Sequence, residues 1–351
     1  MPELLTFDEV MERANKPHLL LGNGFSMAYD RQRFSFTSLL QSAVDNSIIQ
    51  KESPIYKVFE KLATADFESV MRLLDESEQV LEVYGADPGL RKELRSDASL
   101  LKGYLVKIIT NNHPEKSTVV TSEEKGACLA FLNKFGDERQ HIYTLNYDLL
   151  LYWATMHQGQ DIFTDGFGNT EDSEDEAFVV YQNSKFGFKV HYLHGGLHLF
   201  DADGEIIKKT YNNSEINLIQ QTAESLERDE YPIFISEGVS KQKMAKILHN
   251  GYLNHCYRSL KASGRDLVIF GTTLKKSDEH ILDAVVNSEV ENVFIGVSAM
   301  DSVPHIEAAI NSWNTEAMEL NKEKKPKSKK KIKKIHLYDY RTVDVWGKDG
   351  L

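Results

Sequence analysis

Residues 18–26 read His-Leu-Leu-Leu-Gly-Asn-Gly-Phe-Ser, and this stretch decides the fold. Three leucines at 19–21 form a short apolar run that stops at a glycine, which is typical of a buried parallel strand entering a tight loop. Gly22 and Gly24 carry no side chain, so the phosphates of a ligand can approach the main chain there. An ordinary turn between a strand and a helix also fits, because the third glycine of the dinucleotide fingerprint is absent.

The composition is that of a globular chain. Its 351 residues are 41% hydrophobic and 27% charged, which is enough to bury a sizeable core. No run approaches the roughly 18 apolar residues of a membrane span, and the first residues lack the features of a signal peptide. We therefore expect a cytoplasmic protein. Cys128 and Cys256 are too few for a disulfide framework or a four-cysteine zinc site, and we predict that both are buried.

The net charge of −12 argues against general binding of nucleic acid, but the charge is unevenly spread. Residues 322–334 contain nine lysines and one glutamate. We interpret this segment as a solvated loop before the last strand, with a contact to phosphate or nucleic acid as the alternative. The acidic run at 171–176 indicates a disordered loop.

Helical spacing dominates residues 35–135, where the sequence shows no convincing strand. We interpret this part as a helical insertion within a single domain that spans residues 1–351. After it, apolar runs alternate with helices, which predicts the α/β class: a Rossmann-like, mostly parallel sheet flanked by helices. The predicted strands after the first are residues 141–145, 189–193, 233–236, 266–270, 292–297 and 334–338.

Local signals predict three further elements. Thr6 caps a short first helix. A long amphipathic helix occupies residues 241–262 and stops at Gly264. A hairpin turns at Asp203 and Gly204, because an Asp-Gly pair favours the backbone of a two-residue hairpin loop.

Polar or glycine-rich residues follow four of the predicted strands. Ligands of open parallel sheets bind beyond the carboxyl ends of the strands, so these four strand ends are the candidate site. They are Gly22-Asn-Gly-Phe-Ser26, Thr144-Leu-Asn-Tyr-Asp148, Tyr192-Leu-His-Gly195 and Gly271-Thr-Thr-Leu274.

The side chains at these ends each have a structural and a functional interpretation. Asn146 offers a donor and an acceptor to a ribose hydroxyl or a water, or it satisfies its own turn. Asp148 fits a helix N-cap better than a catalyst. His194 is either a core histidine or a general base that works near neutral pH. The Gly-Thr-Thr loop at 271–273 either binds another part of the same ligand or forms a turn.

Taken together and in this order, the four ends resemble the sirtuin-type NAD-binding fold. Sirtuins carry a Gly-Ala-Gly-x-Ser phosphate loop, an asparagine–aspartate motif after a middle strand, a histidine followed by glycine, and a Gly-Thr-Ser loop. The motifs Asn146-Tyr-Asp148 and Leu193-His-Gly195 look closer to those of the bacterial Sir2-like NADases of anti-phage defence than to those of deacetylases. Gly22-Asn-Gly-Phe25 also resembles the AbiH-type abortive-infection proteins. The resemblance spans roughly residues 18–345 outside the insertions.

The resemblance implies an NAD⁺ hydrolase that breaks the nicotinamide–ribose bond and releases ADP-ribose and nicotinamide. It implies that Asn146 orients the ribose or the attacking water and that His194 acts as the base. The glycine loop with Ser26 would hold the pyrophosphate, and the loop at 271–273 the adenosine side. Asp165 would be a weaker candidate for the pocket rim, with a turn as the alternative. The implied cofactor-binding residues are Gly22, Asn23, Gly24, Phe25, Ser26, Asp148, Gly271, Thr272 and Thr273.

The chain departs from sirtuin deacylases in two respects. Two cysteines cannot supply their four-cysteine zinc ribbon, so we expect no zinc ribbon and no metal. Asn23 replaces the alanine of the first motif and puts a polar amide where the phosphates or the ribose would pass. An ADP-ribosyltransferase or deacylase remains an alternative, as does a non-catalytic sensor of NAD or ADP-ribose.

The resemblance also carries expectations about biology. The resemblance suggests an anti-phage effector that kills by depleting NAD. It further suggests a homo-oligomer, or a partner such as a HerA-type ATPase that holds the enzyme inactive.

Overall fold

The computed structural model describes residues 4–156, 162–169, 178–182, 189–210, 216–228, 230–235, 240–298, 303–322 and 329–348. It is an α/β fold in which a six-stranded parallel sheet is flanked by helices, and a four-stranded antiparallel sheet stands apart from it. The predicted fold class is therefore confirmed. Within the described ranges, every helix is too short or too polar to cross a membrane.

The parallel sheet has six strands. They are β1 (His18–Leu21), β2 (Ile142–Thr144), β5 (Val190–Tyr192), β8 (Gly264–Phe270), β9 (Glu289–Val297) and β10 (Lys334–Asp339). Their order across the sheet is β10-β9-β8-β1-β2-β5, and all neighbours pair in parallel. Every residue of β1 is buried, as expected for the central strand of a sheet covered on both faces. Since the order runs outward from β1 on either side, the topological switch point lies between β1 and β8.

Five of the six strands predicted after the first are confirmed to within three residues. The prediction for residues 233–236 is wrong, and residue 236 lies outside the described residues. The amide of Ile233 donates to the carbonyl of Leu199, and the amide of Ile235 donates to that of His194. Phe234 forms a single antiparallel bridge to Gly195. This segment therefore pairs with the chain that leaves β5; Phe234 and Ile235 are buried, but they do not join the parallel sheet.

The antiparallel sheet was not predicted, although its hairpin was. Its strands are β3 (Phe167–Gly168), β4 (Phe178–Tyr181), β6 (Leu199–Ala202) and β7 (Glu205–Lys209), in the order β3-β4-β7-β6. The hairpin between β6 and β7 turns at Asp203 and Gly204, which have φ values of 51° and 89°. Positive φ at both positions is the backbone that an Asp-Gly loop favours, so this prediction is confirmed.

Helices make up most of the remaining structure. They are α1 (Phe7–Arg13), α2 (Gly24–Tyr29), α3 (Arg31–Phe34), α4 (Phe36–Asp45), α5 (Pro54–Lys61), α6 (Phe67–Val83), α7 (Pro88–Asn112), α8 (Ser122–Asn133), α9 (Leu150–Thr155), α10 (Leu218–Glu227), α11 (Ser240–His249), α12 (Gly251–Lys261), α13 (Glu279–Val286) and α14 (Pro304–Asn321). Residues 35–135, all of them described, contain helices and no strand. Thr6 caps α1 through a reciprocal pair of hydrogen bonds with Glu9, as predicted.

The long helix predicted over residues 241–262 is two helices. Asn250 separates α11 from α12, because its extended backbone ends the first and its side chain accepts a hydrogen bond from the amide of Leu253. The second helix ends at Lys261, and Gly264 is the first residue of β8 rather than a helix stop.

Two composition-based predictions have different outcomes. Cys128 and Cys256 are free and buried, as predicted. The solvated-loop interpretation is wrong for Lys333, whose Nζ donates to the carbonyl oxygens of Ser288 and Val290 at 2.7 and 2.8 Å. Burial lowers the pKa of Lys333 to about 8. Residues 323–328 of the lysine-rich segment and the acidic run at 171–176 lie outside the described residues.

Candidate functional site

A cavity of about 440 Å³ opens at the carboxyl ends of the parallel strands, at the switch point between β1 and β8. This volume lies in the usual range for sites that bind small molecules. The helices that follow β1 close its other side with apolar side chains. These are Met27, Phe34, Phe36, Leu39, Phe67, Leu105 and Ile109.

The structure brings most of the predicted site residues together. Nine of the eleven line this cavity, and they come from all four strand ends that the sequence singled out. The nine are Gly22, Asn23, Gly24, Asn146, Asp148, His194, Gly271, Thr272 and Thr273. Phe25 and Ser26 are buried behind the lining.

The glycines of the first loop make room for the loop that follows β8. A Cβ atom on Gly24 would lie 2.4 Å from the Cα of Gly271, and a Cβ on Gly22 would lie 2.4 Å from the Cβ of Thr272. The amides of Gly22 and Gly24 donate to the carbonyl oxygens of Phe270 and Gly271, both at 2.9 Å. The two loops are thus locked to each other, and these two amides are already used by the main chain.

Ser26, predicted to hold the pyrophosphate, is not among the residues that line the cavity. It is fully buried, and its Oγ donates to Oδ2 of Asp148 at 2.5 Å while accepting from Nδ2 of Asn146 at 2.9 Å. Burial raises the pKa of Asp148, against the opposing effect of the bond from Ser26. The other oxygen of Asp148 accepts from the amide of Leu150 and supports the start of α9. Ser26 therefore orients Asn146, whose Oδ1 is left to accept from a ligand.

Phe25, also predicted to contact the ligand, is buried behind the lining and packs inside the fold. Its ring lies 5.2 Å from that of Trp346, and the indole Nε1 of Trp346 donates to the carbonyl oxygen of Phe25 at 3.0 Å. Asn23 lines the cavity, but its Nδ2 donates to the carbonyl oxygen of Phe34. These contacts fix the glycine loop from behind and from the side.

Asp165 does not reach the rim of the cavity. It is buried, and its Oδ2 forms an ion pair with Nζ of Lys208 at 2.6 Å. Its Oδ1 accepts from the amide of Phe167, which is the turn interpretation that the sequence left open.

His194 lines the cavity beyond β5 and is paired with a second histidine. Its Nε2 lies 3.0 Å from Nε2 of His280, a buried residue in the first turn of α13. Burial lowers the pKa of His194 well below 6.5, and the nearby Lys243 and His280 lower it further. The ring is therefore neutral at physiological pH, and Nδ1 is the nitrogen left for a ligand.

Behind His194 lies a buried charged cluster, which we call the Lys243 cluster. The Nζ of Lys243 is 2.7 Å from Oε2 of Glu68 and 3.6 Å from Oδ1 of Asp278. The hydroxyl of Tyr147 donates to the other oxygen of Glu68 at 2.8 Å. Burial lowers the pKa of Lys243, but the two carboxylates outweigh it and the pKa lies above its ordinary value. Burial raises the pKa of Asp278 to about 6 despite Lys243.

Sequence reasoning missed the Lys243 cluster and His280. One signal was present: Lys243 stands four residues before Ile247, so it shares the apolar face of its helix and must point inward. A lysine on a buried face requires carboxylate partners, but nothing local indicates that they come from α6 and from the turn before α13. Within the described ranges, no group of three or more His, Cys, Asp or Glu side chains is placed to hold a metal ion.

Comparisons with known proteins identify a family. No curated protein matches this chain. A sequence-family description, "Domain of unknown function (DUF4917)", matches residues 19–346, which run from β1 to the tryptophan behind the glycine loop. Because that match covers nearly the whole chain and includes every residue of the cavity, the chain belongs to the DUF4917 family.

Proposed function

We propose that the protein is an NAD⁺ hydrolase that cleaves the nicotinamide–ribose bond to give ADP-ribose and nicotinamide. The observation that carries the proposal is the convergence of four distant segments on one cavity at the switch point. The segments are residues 22–24, Asn146, His194 and residues 271–273. Dinucleotides bind at this position in open α/β sheets, and the cavity has the size of a small-molecule site.

His194 suits the role of general base. Burial keeps the ring unprotonated at neutral pH, which is the form that accepts a proton at Nδ1, although the lowered pKa also makes it a weaker base than an exposed imidazole. Hydrolysis adds water across the nicotinamide–ribose bond: the oxygen goes to the ribose carbon, nicotinamide leaves neutral, and one proton is released. In this proposal His194 takes that proton from the attacking water, directly or through a ribose hydroxyl.

Asn146 suits the role of orienting group. Its Nδ2 is held by Ser26, which in turn is held by Asp148, so the direction of the amide is determined by two successive hydrogen bonds. The remaining Oδ1 then accepts a hydrogen bond from the water or from the ribose. Fixing a reactant in this way removes part of the entropic cost of the reaction.

The apolar side of the cavity suits a flat heterocycle. Phe34, Phe36 and Phe67 line it, next to polar residues from the strand ends. A site with an aromatic wall and a few convergent polar groups fits one end of a dinucleotide better than a peptide in extended conformation.

The direct test is to incubate the purified protein with NAD⁺ and to measure nicotinamide, free ADP-ribose and protein-bound label in the same reaction. Hydrolysis predicts equal amounts of the first two and no label on protein. Labelled protein would instead indicate an ADP-ribosyltransferase, and binding without turnover would indicate a sensor. His194→Asn and Asn146→Ala should lower kcat by about 10²- to 10⁴-fold.

His191→Asn is the matched control for this test. His191 lies three residues earlier, on β5, and is also buried, but it packs against His141 and Tyr143 and does not line the cavity. It should retain kcat. Activity in the His194 variant equal to that of the His191 variant would remove His194 from the reaction.

We also propose, on the resemblance alone, that this activity serves anti-phage defence within a homo-oligomer or with a HerA-type ATPase partner. Expression in a bacterial host should lower cellular NAD on phage infection, and His194→Asn should abolish that drop. Affinity purification from the same cells and light scattering of the purified protein report on the partner and on the oligomer.

A further inference from the structure

The charges that line the cavity are not equally available to a ligand. Four carboxylates line it, and each one already has donors within the protein. They are Asp66, Glu68, Asp148 and Asp278. Asp66 accepts from two amides at the start of α6, Asp148 accepts from Ser26, and the other two face Lys243. The acidic groups are thus compensated from inside the fold.

Three cationic side chains also line the cavity, and only one of them is compensated. The guanidinium of Arg33 pairs with Asp30 at 3.0 Å and donates to the carbonyl oxygen of Asn112. The side chains of Arg31 and Lys275 are exposed, and neither has a hydrogen-bond or ion-pair partner in the described part of the chain. The charge left for a ligand is therefore positive.

These two cations lie on the segments that follow the two loops at the switch point. Arg31 is the first residue of α3, shortly after the glycine loop, and Lys275 follows the loop at 271–273. The amides of Gly22 and Gly24 already donate to main-chain oxygens between the loops, and the hydroxyl of Ser26 is buried and bonded to Asp148 and Asn146. Guanidinium and ammonium side chains are common phosphate ligands, and Arg31 and Lys275 place one of each at the cavity.

We propose that Arg31 and Lys275 form a clamp for the pyrophosphate of the bound dinucleotide. The identity of the ligand rests on the proposed function, whereas the charge argument stands on the cavity alone. The clamp replaces the role that the resemblance implied for Ser26. It predicts that the protein selects ligands by their phosphates and that binding weakens as salt screens the exposed charges.

The test measures binding of ADP-ribose by calorimetry to wild-type protein, Arg31→Ala, Lys275→Ala and the double variant. Each single variant should weaken binding about tenfold, and the double variant more, because a charge-assisted hydrogen bond is lost each time. If the protein turns over NAD⁺, the KM should rise by the same factor with kcat unchanged. Nicotinamide riboside, which lacks the pyrophosphate, should bind equally well to all four proteins.

Arg139→Ala and Lys57→Ala are the matched controls. Arg139 is exposed before the amino end of β2, and Lys57 is exposed on α5; neither lines the cavity. Both variants should bind ADP-ribose like wild type. Undiminished binding in the double variant, or inorganic phosphate binding as tightly as ADP-ribose, would overturn the clamp. ADP-ribose binding that depends on both cations, without nicotinamide release from NAD⁺, would support the clamp while refuting hydrolysis.

Discussion

The Nε2 atoms of His194 and His280 lie 3.0 Å apart, with the two rings stacked at a centroid distance of 5.1 Å. Burial lowers both pKa values, that of His280 to about 3, so both rings are neutral. A hydrogen bond between two neutral imidazoles needs one donor and one acceptor, so the rings have opposite tautomers. If His194 donates, its Nδ1 is the basic nitrogen and is left for a ligand.

The first prediction concerns this tautomer. His280→Leu removes the acceptor and should lower kcat for nicotinamide release about tenfold, since the tautomer of His194 is no longer selected. His280→Gln keeps a side-chain acceptor and should recover most of the loss. The ¹⁵N chemical shifts of His194 report the tautomer directly. Identical shifts in wild type and His280→Leu would show that His280 does not select it.

The second prediction concerns the Lys243 cluster. Lys243→Met leaves Glu68 and Asp278 as two largely buried carboxylates without a cation, so the free energy of unfolding should fall by about 3 kcal/mol. Lys241→Met is the matched control, because Lys241 is exposed on the same helix. It should change stability by at most about 0.5 kcal/mol. Urea denaturation measures both, and equal midpoints would show that the cluster does not stabilise the fold.

The third prediction concerns the contact between the two loops. A Cβ on Gly24 would lie 2.4 Å from main-chain Gly271, so Gly24→Ala should cost about 1–3 kcal/mol and widen the site. Gly126→Ala is the matched control, because Gly126 lies inside α8 with no atom beyond that helix's own backbone within 4 Å of the added Cβ. That change should stabilise the protein by roughly 0.5–1 kcal/mol. Thermal unfolding of both variants distinguishes the two effects by sign.

The fourth prediction concerns acid stability. Burial lowers the pKa of His18 and of His113 to about 4, below the 6.5 of an exposed histidine. The unfolded chain therefore binds more protons than the folded one as the pH falls from 6.5 to 4, and stability decreases over that window. Each histidine should cost about 2 kcal/mol by pH 5.

Urea midpoints at pH 7.5 and pH 5 measure this loss. His18→Asn should reduce the loss of stability between pH 7.5 and pH 5 by the contribution of one histidine. The asparagine side chain can still accept the hydrogen bond from the main-chain amide of His141, but it does not titrate. A slope equal to that of wild type would show that His18 does not contribute.

Much of the fold could be predicted because its signals are local. The leucines at 19–21 and the glycine after them indicate a buried strand and a tight loop, and the Asp203-Gly204 pair indicates a hairpin. The four strand ends could be placed at one site because parallel strands bring their carboxyl ends to one edge. This rule predicts that Asn146 and His194 lie at the same site, and both line the cavity.

The rest depends on contacts that a local pattern does not contain. Residues 233–235 have the apolar composition of a strand, but they bond to His194, Gly196 and Leu199 and do not join the parallel sheet. Ser26 fits a phosphate loop by its spacing, and only the fold shows that Asp148 and Asn146 occupy its hydroxyl. The partners of Lys243 lie on two elements distant in sequence, so the sequence could show an inward lysine without showing what neutralises it.

The tryptophan at 346 has a consequence for the order of assembly during translation. Its indole holds the carbonyl of Phe25, more than three hundred residues earlier in the chain. Strand β1 likewise lies beside β8, which emerges from the ribosome long after it. A nascent chain therefore cannot complete the contacts of the glycine loop until residue 346 has been synthesised.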